Sequence, residues 1–208
     1  MRTVKVSVAL VLALGLTVGA AARAGETAPA APAPAAPGAA PPAPELKGPR
    51  AGDKAPAFSL KTVDSGQARG LESFTKAKGM KGAVVLFLSC RCPYVAQARA
   101  PLAELHKQYG DKVSFVGVNA NQNEKADDIK ADAAQSFAFP MLRDEGSKVA
   151  DLYGAQRTPE AFVVDPSGVI RYHGGVVDLG PALSQLVAGT PIAKSESKAF
   201  GCTIKRKP

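Results

Sequence analysis

The sequence predicts an α/β sandwich: a central mixed β-sheet with helices on both faces. Three observations carry this. Ala83–Leu88 (AVVLFL) and Val113–Val118 (VSFVGV) are uninterrupted apolar runs of strand length, the pattern of strands buried on both faces. A helical stretch, Pro93–Tyr109, lies between them, as a parallel crossover requires. Further on, Ala161–Val164 and Val169–His173 flank Asp165-Pro166-Ser167-Gly168, a turn tetrapeptide that makes them an antiparallel hairpin.

The remaining elements follow in order. A charged helix is predicted from about Glu124 to Ser136, with Ala126, Ile129, Ala133 and Ala134 on one face. Phe139–Leu142 reads as a short extended run, and Ser147–Tyr153 as a short helix closed by Gly154. Leu179–Val187, ended by Gly189, is the last helix. Parallel strands come first and an antiparallel edge after.

Ahead of this domain, residues 1–24 have a basic start (Arg2, Lys5), an apolar run from Val6 to Ala22 and the small-x-small site Ala22-Arg23-Ala24. This is the pattern of a secretory signal peptide cleaved after Ala24, which predicts an exported protein, periplasmic or extracellular. No later stretch is long and apolar enough to span a bilayer, so no transmembrane helix is expected in the mature chain. Residues 25–49 form an Ala/Pro-rich linker; Thr27 to Pro49 alone holds eight prolines, few charges and no large side chain to bury. The domain proper is assigned to residues 50–193, and residues 194–208 to a basic tail that carries Cys202.

The formal net charge is +8. Arg2, Lys5 and Arg23 belong to the leader, and Lys194, Lys198, Lys205, Arg206 and Lys207 crowd the tail, so the domain itself is near neutral. The charge therefore argues for no nucleic-acid partner. Asp127, Asp128 and Asp132 read as a solvated helix face. Gly-rich phosphate loops are absent, and the two histidines, His106 and His173, are too scattered for a metal site or a Cys-His pair. No metal and no cofactor is expected.

The chemistry concentrates in FLSCRCPY, residues 87–94. The first strand ends there and Pro93 occupies the first turn of the helix, where its missing N–H has no helical partner to lose. Cys92 is then the N-cap. A sulfur at that position faces free backbone N–H groups and the positive end of the helix dipole, which favour the thiolate. Arg91 and Arg99 are expected to add to this field. Cys90 lacks the helix-terminal placement. Three cysteines in an oxidising compartment leave at least one thiol unpaired within the chain.

With these residues in hand, the chain from about residue 50 onward resembles the thioredoxin-like superfamily, within it the redoxin group that includes alkyl hydroperoxide reductase and thiol-specific antioxidant relatives. The resemblance rests on Gly52-Asp53-Lys54-Ala55-Pro56-Ala57-Phe58-Ser59-Leu60, Cys92-Pro93-Tyr94, Thr158-Pro159 and Asp165-Pro166-Ser167-Gly168. It implies a thioredoxin-like sandwich, a cis Pro159 beside the reactive sulfur, and Ser89, Arg91, Tyr94, Arg157 and Thr158 around the substrate. Three departures qualify it. A dithiol enzyme would show Cys-x-x-Cys, yet Val95 stands where the second sulfur belongs, as in a monothiol version of the glutaredoxin Cys-Pro-Tyr-Cys. A peroxidase would show Pro-x-x-x-Thr/Ser-x-x-Cys and a facing arginine; Ser89 is in register, but Val85 and Pro159 occupy the other two positions and Arg157 falls two residues early. The tail Phe200-Gly201-Cys202-Thr203-Ile204-Lys205 resembles the terminal Gly-Cys-x-Ile-Lys of some exported redoxins, which implies a resolving role for Cys202 toward Cys92. Pairing of Cys202 with Cys90, or of Cys90 with Cys92, stays open.

The expected function is thiol-disulfide exchange on protein or small-molecule disulfides, with a thiol electron donor from outside. The alternatives are a redoxin-type peroxidase that forms a sulfenic acid on Cys92, and a binding module whose cysteines are idle.

Overall fold

A computed structural model of the protein describes residues 47–207. The expected signal peptide and nearly all of the Ala/Pro-rich linker lie outside the described residues. The strands are β1 (Ser59–Thr62), β2 (Ala68–Gly70), β3 (Ala83–Leu88), β4 (Ser114–Asn119), β5 (Met141–Arg143), β6 (Arg157–Thr158), β7 (Glu160–Val164), β8 (Ile170–Gly174) and β9 (Cys202–Thr203). The α-helices are α1 (Leu71–Thr75), α2 (Pro93–Tyr109), α3 (Ala126–Ser136), α4 (Lys148–Tyr153) and α5 (Leu179–Ala188).

Seven strands form one mixed sheet in the order β2-β1-β5-β4-β3-β7-β8. At its centre β3 runs parallel to β4, with Ala83 opposite Ser114 and Leu88 opposite Asn119. On its other side β3 is antiparallel to β7, with Phe87 opposite Glu160. This is the thioredoxin-like sandwich, parallel in the middle and antiparallel at both flanks.

All six residues of β3 are buried because successive side chains enter different cores. Val84, Leu86 and Leu88 pack with Val95 and Leu102 of α2, Ile129 of α3 and Leu183 of α5. Val85 and Phe87 face Phe74 of α1, Val149 and Tyr153 of α4, and Ile204 of the tail. Phe162 lies at the centre of this second core, edge-on to Phe87 and Tyr153 and stacked on His173 at 4.2 Å between centroids. Phe162→Ala should cost about 3–5 kcal/mol, read as a lowered denaturation midpoint with an unchanged m-value.

Several sequence readings need correction. The flank β1-β2-α1 is absent from the predicted elements. The second long strand lies one residue later than 113–118, and helix α3 starts at Ala126, which leaves Glu124 in the preceding loop. The acidic face is not simply solvated: Asp128 pairs with Arg91 at 2.8 Å and Asp132 with Arg99. Among the described residues no helix is long and apolar enough to cross a membrane.

Candidate active site

Strand β3 and helix α2 meet at the residues Ser89-Cys90-Arg91-Cys92. Cys92 has the extended backbone of an N-cap, φ −87° and ψ 121°, with Pro93 following in the first helical turn. The residue is only 4% exposed. What covers it is the tail: β9 pairs antiparallel with β6, placing Thr158 opposite Cys202 and Arg157 opposite Thr203. A Cβ at Gly201 would fall onto the Thr158 carbonyl oxygen, so only glycine lets the two backbones approach this closely. Beyond the crossing, Ile204 is buried in the second core, the Lys205 N–H donates to Asn121 Oδ1 at 2.8 Å, and the Gln122 N–H donates to the Lys205 carbonyl at 2.7 Å.

The result is a pair of sulfurs drawn from the β3–α2 junction and the tail. Cys92 Sγ and Cys202 Sγ are 2.6 Å apart, inside van der Waals contact, and both are free thiols. Cys92 Sγ is also 3.1 Å from the Thr158 carbonyl oxygen, and the Thr158–Pro159 bond is cis. Burial opposes ionisation of Cys92. Even so, the Cys202 thiol, Thr158 and the Val95 N–H beside it hold it below the ordinary thiol range. Burial and the hydrogen bond to Cys92 push Cys202 up to about 11. The contact between the two sulfurs thus favours ionisation of Cys92 over that of Cys202.

Cys90 sits differently. Burial, and then the neighbouring Glu124 carboxylate, push its thiol up to about 12. Glu124 is itself 5% exposed and takes donors on both oxygens: Ser89 Oγ and the Arg91 N–H on one, the Cys90 N–H and Asn119 Nδ2 on the other. Nothing in the sequence marked Glu124, because an acidic residue at the start of a charged helix reads as exposed.

The other residues named from the sequence divide. Tyr94 is half exposed and, with Pro101, Leu105, Pro159, Val177 and Phe200, lines a cleft of about 680 Å³ beside the sulfur pair. Ser89 does not face this cleft; it is buried on Glu124. Arg91 and Arg99 do not support Cys92, since each is neutralised by its aspartate on α3. Arg157 does not face Cys92 either: its guanidinium donates to Thr203 Oγ1 at 3.0 Å and so fastens the tail. His106 packs edge-on to Phe115, and His173 Nε2 lies 2.7 Å from Glu160 Oε1.

Comparison with known proteins gives the family and the fold. Thioredoxin-like protein YneN of Bacillus subtilis is 34% identical over 122 residues, which are 58% of this chain and 68% of that protein. Thiol-disulfide oxidoreductase ResA of Halalkalibacterium halodurans is 28% identical over 130 residues, 61% of this chain and 69% of its own. Among solved structures, an uncharacterized conserved protein from Geobacillus kaustophilus superposes with a TM-score of 0.69 at 28% identity, over 76% of this chain and 93% of that one. The model of the AhpC/TSA family matches residues 51–173, which include Cys90, Cys92 and the cis proline and stop short of the tail that carries Cys202. That match spans more than half of the chain, which therefore belongs to the AhpC/TSA family, in its thioredoxin-like redoxin group.

Proposed function

We propose that the protein is an exported thiol-disulfide oxidoreductase in which Cys92 is the nucleophile and Cys202 the resolving sulfur. The observation that carries this reading is the contact of two sulfurs 110 positions apart in sequence, one of them at a helix N-terminus. The name of the relative ResA supports the reaction class.

In the first step the Cys92 thiolate attacks one sulfur of a substrate disulfide. A Cys92–substrate bond forms, the substrate S–S bond breaks, and the departing thiolate takes up a proton. Cys202 then loses its proton and attacks Cys92 Sγ, which forms the Cys92–Cys202 disulfide and releases the second substrate thiol. Two electrons have passed to the substrate, and an external thiol donor returns the pair to the reduced state. The cleft beside Tyr94 and Pro159 gives an apolar substrate segment a place to lie.

The test is the thiol connectivity of the purified oxidised protein by mass spectrometry. A Cys92–Cys202 linkage with Cys90 still alkylable is expected; a Cys90–Cys202 linkage would remove Cys202 from the mechanism. Export is checked separately: the N-terminus of the secreted chain should be Gly25.

A redoxin-type peroxidase needs a cation to offset the charge that develops on the departing peroxide oxygen. Arg157, the residue that could have filled the role, is committed to the tail. Reduced protein should therefore react with hydrogen peroxide little faster than any low-pKa thiol, and Arg157→Ala should leave that rate within about threefold. A large loss in stopped-flow oxidation of this variant would restore the peroxidase reading.

A further inference from the structure

Two cysteines flank Arg91, and the more exposed of them is Cys90, not Cys92. By access alone Cys90 should capture an incoming disulfide or alkylating agent first. The feature that separates them is Glu124, a carboxylate buried against the loop from the side of Cys90. We propose that Glu124 is a positioning residue of this site: it holds the loop of Ser89, Cys90 and Arg91 in place and sets a buried negative charge beside Cys90, which together leave Cys92 as the sulfur that reacts. The proposal rests on the reading of Cys92 as nucleophile.

The geometry is that of a clamp. The Cys90 N–H lies 3.2 Å from Glu124 Oε2 and the Arg91 N–H 3.3 Å from Oε1, so both amides of the loop are held by one side chain. Ser89 Oγ donates to Oε1, and Asn119 Nδ2 donates to Oε2 at 2.6 Å. Asn119 is held in turn by Arg143, whose Nη1 lies 2.8 Å from Asn119 Oδ1. A buried carboxylate is tolerated only when its lone pairs are filled in this way.

The charge has a second effect, on one cysteine alone. Beyond burial, the largest influence on Cys90, the charged groups that act on it are Glu124, Asp132 and Arg91, and the Arg91 guanidinium is drawn off to Asp128. The balance at Cys90 is negative, which disfavours a thiolate. At Cys92 burial is opposed instead by Cys202, Thr158 and the Val95 N–H. The Glu124 carboxylate therefore adds to burial in disfavouring a thiolate at the more accessible sulfur.

The experiment is differential alkylation of the reduced full chain by iodoacetamide between pH 5 and 11, read cysteine by cysteine by mass spectrometry. It is run on wild type, Glu124→Gln and Ser89→Ala. In wild type Cys92 is labelled at lower pH than Cys90. In Glu124→Gln the Cys90 rate at pH 8 should rise at least about tenfold, the equivalent of one pH unit, while Cys92 changes less than threefold. Ser89→Ala removes a hydrogen bond and keeps the charge, so Cys90 should stay within threefold of wild type. An unchanged Cys90 in Glu124→Gln overturns the proposal, and so does equal acceleration in Ser89→Ala, which would mean simple loosening. If Glu124→Gln does not fold, Glu124→Asp withdraws the charge by one methylene; Cys90 should then accelerate at least threefold, and no change again overturns the proposal. Preferential labelling of Cys90 in wild type would instead sink the nucleophile assignment, which is a different failure.

Discussion

Cys92→Ser should lower turnover of a model disulfide by at least about a thousandfold while the protein stays folded. A serine hydroxyl at the same place does not ionise in the accessible pH range, so the attack step disappears. Serine is, however, among the preferred N-cap residues, and the Cys92 side chain makes no capping hydrogen bond to lose. Helix α2 should therefore keep its start. Turnover assays paired with thermal unfolding decide it: wild-type turnover in the serine variant would move the protein to the class of binding modules with idle cysteines.

Cys202→Ser has the second largest expected effect and a different signature. Substrate capture continues, but the mixed disulfide on Cys92 is no longer cleared from within. A thiol held beside its target acts at an effective concentration of about millimolar or more, so against micromolar external thiol turnover should fall on the order of 100-fold. A Cys92–substrate adduct should accumulate in non-reducing mass spectra. Strand β9 is held by backbone pairing and by Ile204, so the tail should remain in place without the sulfur. In wild type the resolving step requires loss of the Cys202 proton, which burial opposes. Clearance of the adduct should thus quicken as pH rises and slow as it falls. No adduct and unchanged turnover would make Cys202 a structural residue.

The central part of the fold was legible because its signals are local. AVVLFL can be little else than a strand buried on both faces, and proline after cysteine at its end marks the start of a helix. The hairpin across Asp165–Gly168 was legible for the same reason: turn chemistry sits between two β-rich runs. The flank β1-β2-α1 was not, since Ser59–Thr62 and Ala68–Gly70 are too short and too polar to show a period. Strands β6 and β9 are two residues each, and their pairing is fixed by distant chain segments that no local pattern encodes. The site divides in the same way. Cys92, Thr158 and Pro159 are marked by what stands next to them, whereas Glu124, Arg91 and Arg157 take their parts from partners far along the chain, Ser89, Asp128 and Thr203.

The position of the Cys202 sulfur also bears on how this site survives exposure to strong oxidants. A thiolate that reacts with peroxide becomes a sulfenic acid, and a second peroxide would carry it to the sulfinic acid, from which thiol reductants cannot recover it. With a thiol 2.6 Å away, the sulfenic acid on Cys92 meets Cys202 first. The two condense, water leaves, and the product is the same disulfide that ordinary turnover produces, open to the same reductant. Contact between the two sulfurs thus confines accidental oxidation to a reversible dead end, and the tail that limits access to Cys92 also limits how far damage there can proceed.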